Sequence, residues 1–396
     1  GRYIALGGGY SNVTSTDGVN WSIMSQTWND LNGDLTGPSG GQAANPYAIA
    51  YGNGTWFIVG NNFSAYSTDG VSWTPHTPVG TPLAYPICVD YDGSKFLMLV
   101  NSSSGYGYYQ GIKTNPTQPM LLSSSDGDSW SWVNLTNQSL PTGAYFNWLT
   151  WTNGAWWAVG TSSSGALIVT SSDGVNWTIK YNSNTSFYTA IHIASDGNGT
   201  LIAIATPNSS PYNKSLKSTD GGNTWSSITF PVNNPQKIVY GNGVWVLLIN
   251  YTTAYYSTDG STWNATGLSV SGGNYTCRFL NGKFWYCGGS GFLANSTNGS
   301  SWTQISGLGT NNIKDIAYGF GTYALYTNNG PYTSTDGINF SIVTSIPAIN
   351  YNFWAGTFIT ATTNRFLASL RSTWASADYD NLFQCPPPPN QRFSIT

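Results

Sequence analysis

Ser15-Thr16-Asp17-Gly18-Val19-Asn20-Trp21 is the stretch of sequence that decides the fold, because near-copies of it recur along the whole chain. Seven further copies keep the Ser, an Asp or Asn two residues later, a Gly and an aromatic residue, and a ninth keeps only the Ser and the Asp. A repeat of this kind predicts one large repetitive domain. The nine copies are centred on Asp17, Asp69, Asp126, Asp173, Asp220, Asp259, Asn298, Asp336 and Asp378.

Short segments rich in aromatic and β-branched residues surround each copy, and they end at Gly or Asn. In the unit that runs from Tyr47 to Thr77 we interpret them as four strands: A (47–51), B (56–60), C (65–67) and D (72–76). A tight turn at Asn53-Gly54 joins A to B. Successive copies are separated by 52, 57, 47, 47, 39, 39, 38 and 42 residues. Four antiparallel strands repeated at this period predict the blades of a β-propeller.

The recurring Ser-X-Asp-Gly-X-X-Trp pattern resembles the Asp-box (BNR-like repeat) of sialidases, sortilin-type receptors, some xyloglucan-active hydrolases and photosystem assembly factors. The Asp-box of those families is Ser-X-Asp-X-Gly-X-X-Trp, so the Gly of this chain lies one place earlier. This resemblance implies a propeller with an Asp-box at each C–D turn, and it implies little about chemistry, because those families share mainly the fold. Independently, an Asp can bond backbone N–H groups just beyond it, Gly permits positive φ, and a Trp can fill the space between sheets. We therefore interpret the motif as a structural staple.

We predict one closed all-β propeller over residues 1–383. Nine blades are favoured and eight are the alternative, and the count depends on whether the degenerate ninth unit forms a blade. Residues 384–396 are predicted to form a Pro-rich strap and a strand that could close the ring. Pro386 to Pro389 cannot donate backbone hydrogen bonds, whereas Gln391 to Thr396 could supply the strand that the first blade lacks.

Charged residues make up only 7% of the chain, the formal net charge is -3, and none of the sixteen acidic residues is a Glu. Without a basic cluster the sequence predicts no nucleic-acid partner. Without an apolar run of about 18 residues it predicts no membrane insertion. Solubility then depends on uncharged polar residues. Frequent Asn-X-Ser/Thr sites favour an extracellular glycoprotein, with candidate glycosylation at Asn12, Asn62, Asn101, Asn134, Asn184, Asn208, Asn250, Asn264 and Asn274.

The four cysteines also favour an oxidising compartment. Cys277 and Cys287 lie at equal distances from Gly282, so we expect them to face each other across a hairpin and to form a disulfide. Two buried thiols are the alternative. Cys88 and Cys385 could form a second bridge, although four cysteines allow three pairings.

In such blades the A–B and C–D turns lie at one face, and the B–C and D–A connections lie at the other, which we name the long-loop face. Every sizeable insertion falls on the long-loop face, where binding residues usually lie. We expect Trp28, Tyr106, Tyr108 and Tyr109 to anchor a ligand there, because aromatic rings stack on sugars and protein surfaces. Alternatively, these rings cover the adjacent blade.

Other site chemistry is sparse. Asp30, Asn32 and Asp34 alternate oxygen ligands in a way that could hold a structural Ca²⁺, with an Asx-rich turn as the alternative, and no other cofactor is expected. A sialidase-like site would need three Arg around the substrate carboxylate and a Tyr/Glu pair. Because the chain has no Glu and its five Arg are scattered, we predict no sialidase activity. Asp90 and Asp92 are a close pair outside the motif, and we interpret them as a solvated turn rather than as glycosidase carboxylates.

These features together predict an extracellular, non-catalytic binding or adhesion module on a cell or virion surface, with a glycan or protein as its ligand. Two alternatives stay open. One is a polysaccharide-active glycoside hydrolase that uses an Asp pair. The other is a subunit of an extracellular filament or shell that binds copies of itself or other surface proteins.

Overall fold

Every described element of the computed structural model is a β-strand, which confirms the all-β fold class. No described segment is a helix of the length and hydropathy needed to cross a membrane. The structure describes residues 3–5, 13–17, 20–23, 46–60, 63–70, 72–75, 84–102, 108–109, 112–113, 120–127, 129–133, 135, 139–182, 186–249, 253–268, 270, 274–319, 321–327, 330–343 and 366–369.

The first three blades follow the repeat units in order. Blade 1 has three described strands: β1 (Tyr3–Ala5), β2 (Val13–Ser15) and β3 (Trp21–Ile23). Blade 2 contains β4 (Pro46–Gly52), β5 (Thr55–Gly60), β6 (Phe63–Ser67) and β7 (Thr74–Pro75). Blade 3 contains β8 (Ala84–Tyr91), β9 (Phe96–Ser102), β12 (Met120–Ser124) and β13 (Ser131–Trp132), and a hairpin of β10 (Tyr108–Tyr109) and β11 (Ile112–Lys113) lies between β9 and β12.

Blades 4 to 8 are regular sheets of four strands each. Blade 4 contains β14 (Tyr145–Thr152), β15 (Ala155–Ser162), β16 (Gly165–Ser171) and β17 (Thr178–Asn182). Blade 5 contains β18 (Phe187–Ser195), β19 (Leu201–Pro207), β20 (Lys214–Ser218) and β21 (Ser226–Thr229). Blade 6 contains β22 (Pro235–Gly241), β23 (Val244–Ile249), β24 (Ala254–Ser257) and β25 (Asn264–Ala265). Blade 7 contains β26 (Asn274–Leu280), β27 (Lys283–Gly288), β28 (Leu293–Ser296) and β29 (Thr303–Ile305). Blade 8 contains β30 (Ile313–Gly319), β31 (Thr322–Thr327), β32 (Gly330–Ser334) and β33 (Ser341–Ile342).

The ninth unit behaves differently from the other eight. Its described strand, β34 (Phe366–Ser369), pairs antiparallel with β4, so that the sheet of blade 2 has five strands. We predicted a separate ninth blade for this part of the chain. The number of blades and the closure of the ring stay predictions, since residues 370–396, including Asp378 and the proposed closing strand, lie outside the described residues.

The repeated motif forms a similar hydrogen-bonded turn in its described copies, as blade 4 illustrates. Ser171 Oγ donates to Asp173 Oδ1 at 2.9 Å, and Gly174 N donates back to Ser171 Oγ at 2.8 Å. Asn176 N donates to Asp173 Oδ1 at 2.7 Å, and Trp177 Nε1 donates to Gly174 O at 3.2 Å. The Asp173 carboxylate thus accepts a hydrogen bond from a backbone N–H just beyond it, as the sequence predicted. The copy at Asp220 has one extra residue, so Gly222 N and Thr224 N are the donors there.

The Gly and the Trp of the motif join each blade to the one before it. Gly299 has φ +71°, and a Cβ on it would lie 2.9 Å from the side chains of both Val244 and Val246 of blade 6. The ring of Trp130 in blade 3 lies 4.6 Å from that of Phe57 in blade 2. Buried apolar clusters fill the layers between consecutive blades in the same way. The Gly and the Trp of the motif therefore contribute to the packing between blades.

Hydrogen bonds between blades place the A–B turns and the motifs on one face, as predicted. Asn242, in the A–B turn of blade 6, donates through Nδ2 to Thr297 O of the motif in blade 7 at 3.0 Å. Asn53 of blade 2 donates in the same way to Ser125 O of blade 3 at 3.4 Å, and Lys95 Nζ bonds Asp173 O of the next blade. We name this surface the motif face.

The A strand of each blade from 2 to 8 has a β-bulge near its start. The register with the B strand shifts by one residue at the same point in every case, which leaves one residue opposite no partner. A bulge of this kind re-aims side chains and ends regular pairing. The extra residues are Tyr47, Ile87, Asn147, Ile191, Gln236, Tyr275 and Lys314, and blade 5 has a second bulge at Tyr188, three residues before Ile191.

The motif carboxylates should resist acid. Hydrogen bonds from Thr224 N, Thr224 Oγ1 and Ser218 lower the pKa of Asp220 from 3.8 to about 2. Because the folded-state pKa is the lower one, the stabilisation is complete above pH 3.8 and is lost as the pH falls towards 2. We expect Asp220→Asn to reduce the loss of stability in this pH window, measured as the unfolding midpoint at a series of pH values.

Asn298 shows that an amide fits this turn. Its Oδ1 accepts hydrogen bonds from Ser296 Oγ at 3.1 Å and from Ser301 N at 2.9 Å, in the positions that Asp occupies in the other copies. The reverse variant, Asn298→Asp, is thus the matched control, and it should increase the acid dependence. An acid profile that neither variant changes would contradict the assignment.

Candidate functional site

The predicted ligand anchors and calcium ligands fall mostly outside the described residues. This holds for Trp28, Tyr106, Asp30, Asn32 and Asp34. The backbones of Tyr108 and Tyr109 are described, and they pair with Lys113 and Ile112 in the hairpin of β10 and β11. Both assignments stay predictions.

Three other tyrosines are exposed at the same long-loop face. Tyr188 is 65% exposed, Tyr212 is 42% exposed and Tyr145 is 37% exposed, although the other aromatic residues of these blades pack between sheets. Tyr145 and Tyr188 lie at the starts of the A strands of blades 4 and 5, and Tyr212 lies in the B–C connection of blade 5. We name these three residues the tyrosine row.

A rigid framework holds the tyrosine row. Tyr188 is one of the two bulge residues of β18, and its carbonyl accepts a hydrogen bond from Thr161 Oγ1 at 2.9 Å. Thr161 in turn pairs with Tyr145, so it connects the backbones of both tyrosines. Asn147 Nδ2 donates to Thr189 Oγ1 at 2.8 Å and so ties blade 4 to blade 5 directly beside Tyr188. Tyr212 O accepts from Asn234 N, at the entrance to blade 6, at 2.8 Å.

The surroundings of the tyrosine row carry little charge. The connections that lead into blades 4, 5 and 6 and across blades 4 and 5 contain Ser, Thr, Asn, Gln, Gly, Pro, Tyr and apolar residues, and none contains Asp, Glu, Lys or Arg, although the exposed Lys214 at the start of β20 directly follows the B–C connection of blade 5. These segments are residues 133–145, 162–165, 182–187, 207–213 and 230–235. Chemically, the surface offers flat aromatic rings, hydroxyls and amides.

A buried cluster of charged residues lies within the A strands of blades 6 to 8. Arg278 Nε and Nη2 donate to the two carboxylate oxygens of Asp315 at 2.7 Å each, and the side chains are only 11% and 2% exposed. Burial lowers the pKa of the nearby Lys237 from 10.5 to about 8, with the charge of Arg278 adding to the effect and that of Asp315 opposing it. Sequence analysis missed this cluster, although charged residues inside apolar strands were a visible signal.

Asp90 corrects our interpretation of a solvated turn. It is 2% exposed, and its Oδ2 accepts a hydrogen bond from Trp151 N of the next blade at 2.7 Å. Asp92, two residues on, is half-buried and accepts from Lys95 N at 2.9 Å and from Trp156 Nε1 at 3.1 Å. Both carboxylates are thus bonded to backbone or indole N–H groups at the junction of blades 3 and 4.

The predicted disulfide is wrong, because Cys277 and Cys287 are free thiols. The hairpin pairs Leu280 with Lys283, so its centre lies between Asn281 and Gly282 and not at Gly282. Cys277 therefore faces Tyr286, and Cys287 points to the opposite side of the sheet and packs into a different core layer. Cys385 and the side chain of Cys88 are outside the described part of the chain.

Both thiols should be unreactive in the folded protein. Burial raises the pKa of Cys277 to about 12 and raises that of Cys287 well above its usual value, and the thiolate is the reactive form. We expect alkylation at pH 8 to leave the peptides of both residues unmodified until urea unfolds the protein, as measured by mass spectrometry. Rapid alkylation of either thiol without urea would contradict this burial.

Two predicted glycosylation sites can be placed. Asn208, in the B–C connection of blade 5, and Asn264, in β25, are exposed. The side chains of the other seven lie outside the described part of the structure. Attachment of a glycan at either exposed site stays a prediction.

No family model matches this sequence, and none of the curated proteins matches it. Among solved structures it is similar to YCF48 from Cyanidioschyzon merolae, with 16% identity and a TM-score of 0.50 over 73% of this chain and 95% of that chain. It is similar to YCF48 bound to D1 peptide, with 18% identity and a TM-score of 0.50 over 72% and 92% of the two chains. A GH74 enzyme from Niastella koreensis matches at 16% identity and a TM-score of 0.30, over 88% of this chain and 68% of that chain.

Similarity at this level of identity shows the fold alone. Together with the four-stranded antiparallel sheets, the first two structures define the class: the protein is a β-propeller. The fold does not specify an activity, because propellers carry many unrelated functions.

Proposed function

We propose that this protein is an extracellular, non-catalytic binding module of the Asp-box propeller group, exposed on a cell or virion surface, and that it binds an uncharged glycan through its long-loop face. The observation that carries the proposal is the tyrosine row on a hydrogen-bonded surface with little charge. Tyrosine rings can stack on the apolar faces of sugar rings while their hydroxyls form hydrogen bonds. Neighbouring exposed residues such as Ser163, Asn208 and Ser209 add further donors and acceptors.

The lack of charge favours an uncharged ligand. A sialylated or sulfated glycan would be expected to meet Arg or Lys, as anion recognition usually requires. The connecting segments of blades 4 and 5 contain neither, and the exposed Lys214 directly borders one of them. Binding through stacking and neutral hydrogen bonds should also depend little on salt, because screening acts on charges.

The environment of the carboxylates supports a non-catalytic role. Asp90 and Asp92 are held at the junction of blades 3 and 4, Asp196 accepts from Asn198 N and Thr200 N in an A–B turn, and Asp315 is paired with Arg278. Each of these carboxylates thus has a structural role. A glycosidase pair would instead need two carboxyl groups about 5–9.5 Å apart beside the ligand.

A protein segment is the second candidate ligand. The specific observation that favours it is the similar structure in which YCF48 is bound to a D1 peptide. Exposed tyrosines serve protein recognition as well as sugar recognition.

A glycan array tests the proposal, with calorimetry on any sugar that binds. We expect neutral oligosaccharides to bind, Tyr188→Ala to weaken binding about tenfold or more, and Tyr188→Phe to retain most of it. Raising the salt concentration should change the affinity little. Ile338→Ala is the matched control, because Ile338 is 60% exposed but lies on the motif face.

Two results would contradict the proposal that the protein binds an uncharged glycan. One is a folded protein that binds no neutral sugar, and the other is unchanged binding by Tyr188→Ala. If wild-type protein instead captured a protein or peptide ligand and Tyr188→Ala lost it, the second candidate would replace the first.

A further inference from the structure

Four A–B turns of this propeller contain the dipeptide Asn-Gly in one conformation. In each, the Asn has φ between +47° and +53° and the Gly has φ between +71° and +79°, which is the two-residue turn that joins antiparallel strands. All four Asn residues are exposed. Backbone geometry, neighbouring residue and accessibility are therefore matched in Asn53, Asn153, Asn242 and Asn281.

The four turns differ in how the side-chain amide is held. Asn242 Nδ2 donates to Gly282 O at 2.9 Å and to Thr297 O at 3.0 Å. Asn281 Nδ2 donates to the Tyr323 hydroxyl at 2.8 Å, and Asn53 Nδ2 donates to Ser125 O at 3.4 Å. For Asn153 Nδ2, the described residues supply no acceptor.

The neighbouring blade accounts for this difference. The A–B turn of blade 5 is longer than that of the other blades, and it spans Asp196 to Thr200. Its Gly199 O accepts a hydrogen bond from Gly221 N, in the motif of the same blade, at 2.9 Å. That longer turn lies close to Thr219 and Gly221, the part of the motif that would otherwise face the amide of Asn153.

We propose that Asn153 is a site of spontaneous covalent modification, namely deamidation to aspartate and isoaspartate. The backbone N of Gly154 attacks Asn153 Cγ, the new N–C bond closes a succinimide ring, and Nδ2 leaves as ammonia. Water then opens the ring at either carbonyl and gives an aspartyl or an isoaspartyl residue. A Gly after the Asn leaves the attacking nitrogen without a side chain beside it.

Hydrogen bonds to Nδ2 oppose this reaction. They fix the side-chain torsions, so that Cγ must leave a bonded position before the backbone nitrogen can approach it. Each bond should slow the reaction about twofold to tenfold, since a net hydrogen bond corresponds to that range in an equilibrium. The expected order of rates is Asn153 first, then Asn53, then Asn281, with Asn242 the slowest.

The product would place a negative charge on the motif face of blade 4. The tyrosine row lies at the other face, so deamidation at Asn153 should leave ligand binding unchanged. This inference is therefore independent of the proposed function. An isoaspartate would also insert an additional backbone carbon into the turn between β14 and β15, at the point where the two strands join.

Incubation of the whole folded protein at mildly alkaline pH, followed by peptide mapping with mass spectrometry, tests the proposal. Asn153 should be converted fastest of the four turns in the folded protein, whereas in urea all four should react at similar rates. Asn198-Gly199 has a different backbone conformation, and its own peptide separates it from the matched set. Equal rates in the folded protein, or faster conversion at Asn242 than at Asn153, would overturn the proposal.

A variant tests the cause. Tyr323→Phe removes the acceptor of Asn281 Nδ2 and keeps the ring, so it should speed deamidation at Asn281 about twofold to tenfold and leave Asn242 unchanged. Gly154→Ala should slow the reaction at Asn153. If Tyr323→Phe folded normally and left the rate at Asn281 unchanged, the protective role of the amide hydrogen bond would be wrong.

Discussion

Asp315→Asn should lower the free energy of unfolding by about 3–5 kcal/mol, because it leaves the buried guanidinium of Arg278 without its counter-charge. The variant keeps the shape of the side chain, and its Oδ1 can still accept the hydrogen bond that Asp315 now receives from Ile316 N at 2.8 Å. The loss would thus report the charge and not the backbone contact. Urea unfolding followed by tryptophan fluorescence measures it.

A double variant separates the pair from its surroundings. Arg278→Met with Asp315→Asn should recover much of the loss, since a buried ion pair contributes little net stability over apolar groups. Lys180→Met is the matched surface control: Lys180 donates to Asn223 Oδ1 at 2.8 Å in an exposed position, and its removal should cost less than about 0.5 kcal/mol. A double variant as unstable as the sum of the two single variants would argue against coupling.

Gly160→Ala should cost about 3 kcal/mol or more, because the space for a side chain is occupied by backbone. A Cβ on Gly160 would lie 1.9 Å from Tyr145 O and 2.7 Å from Phe146 Cα. The start of β14 would have to move away from β15, and Tyr145 would move with it. We therefore expect both a lower unfolding midpoint and weaker binding of any ligand of the tyrosine row.

Gly154→Ala is the control in the same hairpin. Gly154 has φ +71° but no atom within 4 Å of an added Cβ, so its replacement should cost only about 1–2 kcal/mol of backbone strain. It should also leave ligand binding unchanged, since Gly154 lies in the turn at the motif face. If the two variants were equally stable, the close approach of β14 at Gly160 would be wrong.

Local chemistry made much of the fold predictable. The Ser, Asp, Gly and Trp of the motif in blade 4 interact within seven residues of one another. The turn and its structural role could therefore be predicted from Ser171 to Trp177 alone. The alternation of aromatic and β-branched residues indicated the strands, and the period indicated the blades.

Contacts across blades were not predictable in the same way. Arg278 and Asp315 are 37 residues apart, and neither strand indicates which residue of the next blade its side chain will meet. The error over Cys277 and Cys287 arose from half a residue of register: a two-residue turn centres between Asn281 and Gly282, and this places the thiols on opposite sides of the sheet.

Tyr188 of the tyrosine row escaped prediction because a bulge decides its exposure. By strict alternation Tyr188 would belong to one side of β18, whereas the extra residue at the start of the strand releases it from pairing. The sequence pattern favoured aromatic residues in the long insertions as ligand anchors, and these insertions lie largely outside the described part of the structure.

The recurring bulge has an evolutionary consequence. It divides every A strand of blades 2 to 8 into a core segment, with fixed register, and a leading segment that can gain or lose residues without shifting the core. Changes in the leading segments can therefore accumulate while the apolar layers stay intact. Homologues of this chain should then diverge in what they recognise much faster than in how they fold, and each blade supplies a separate position at which selection can act.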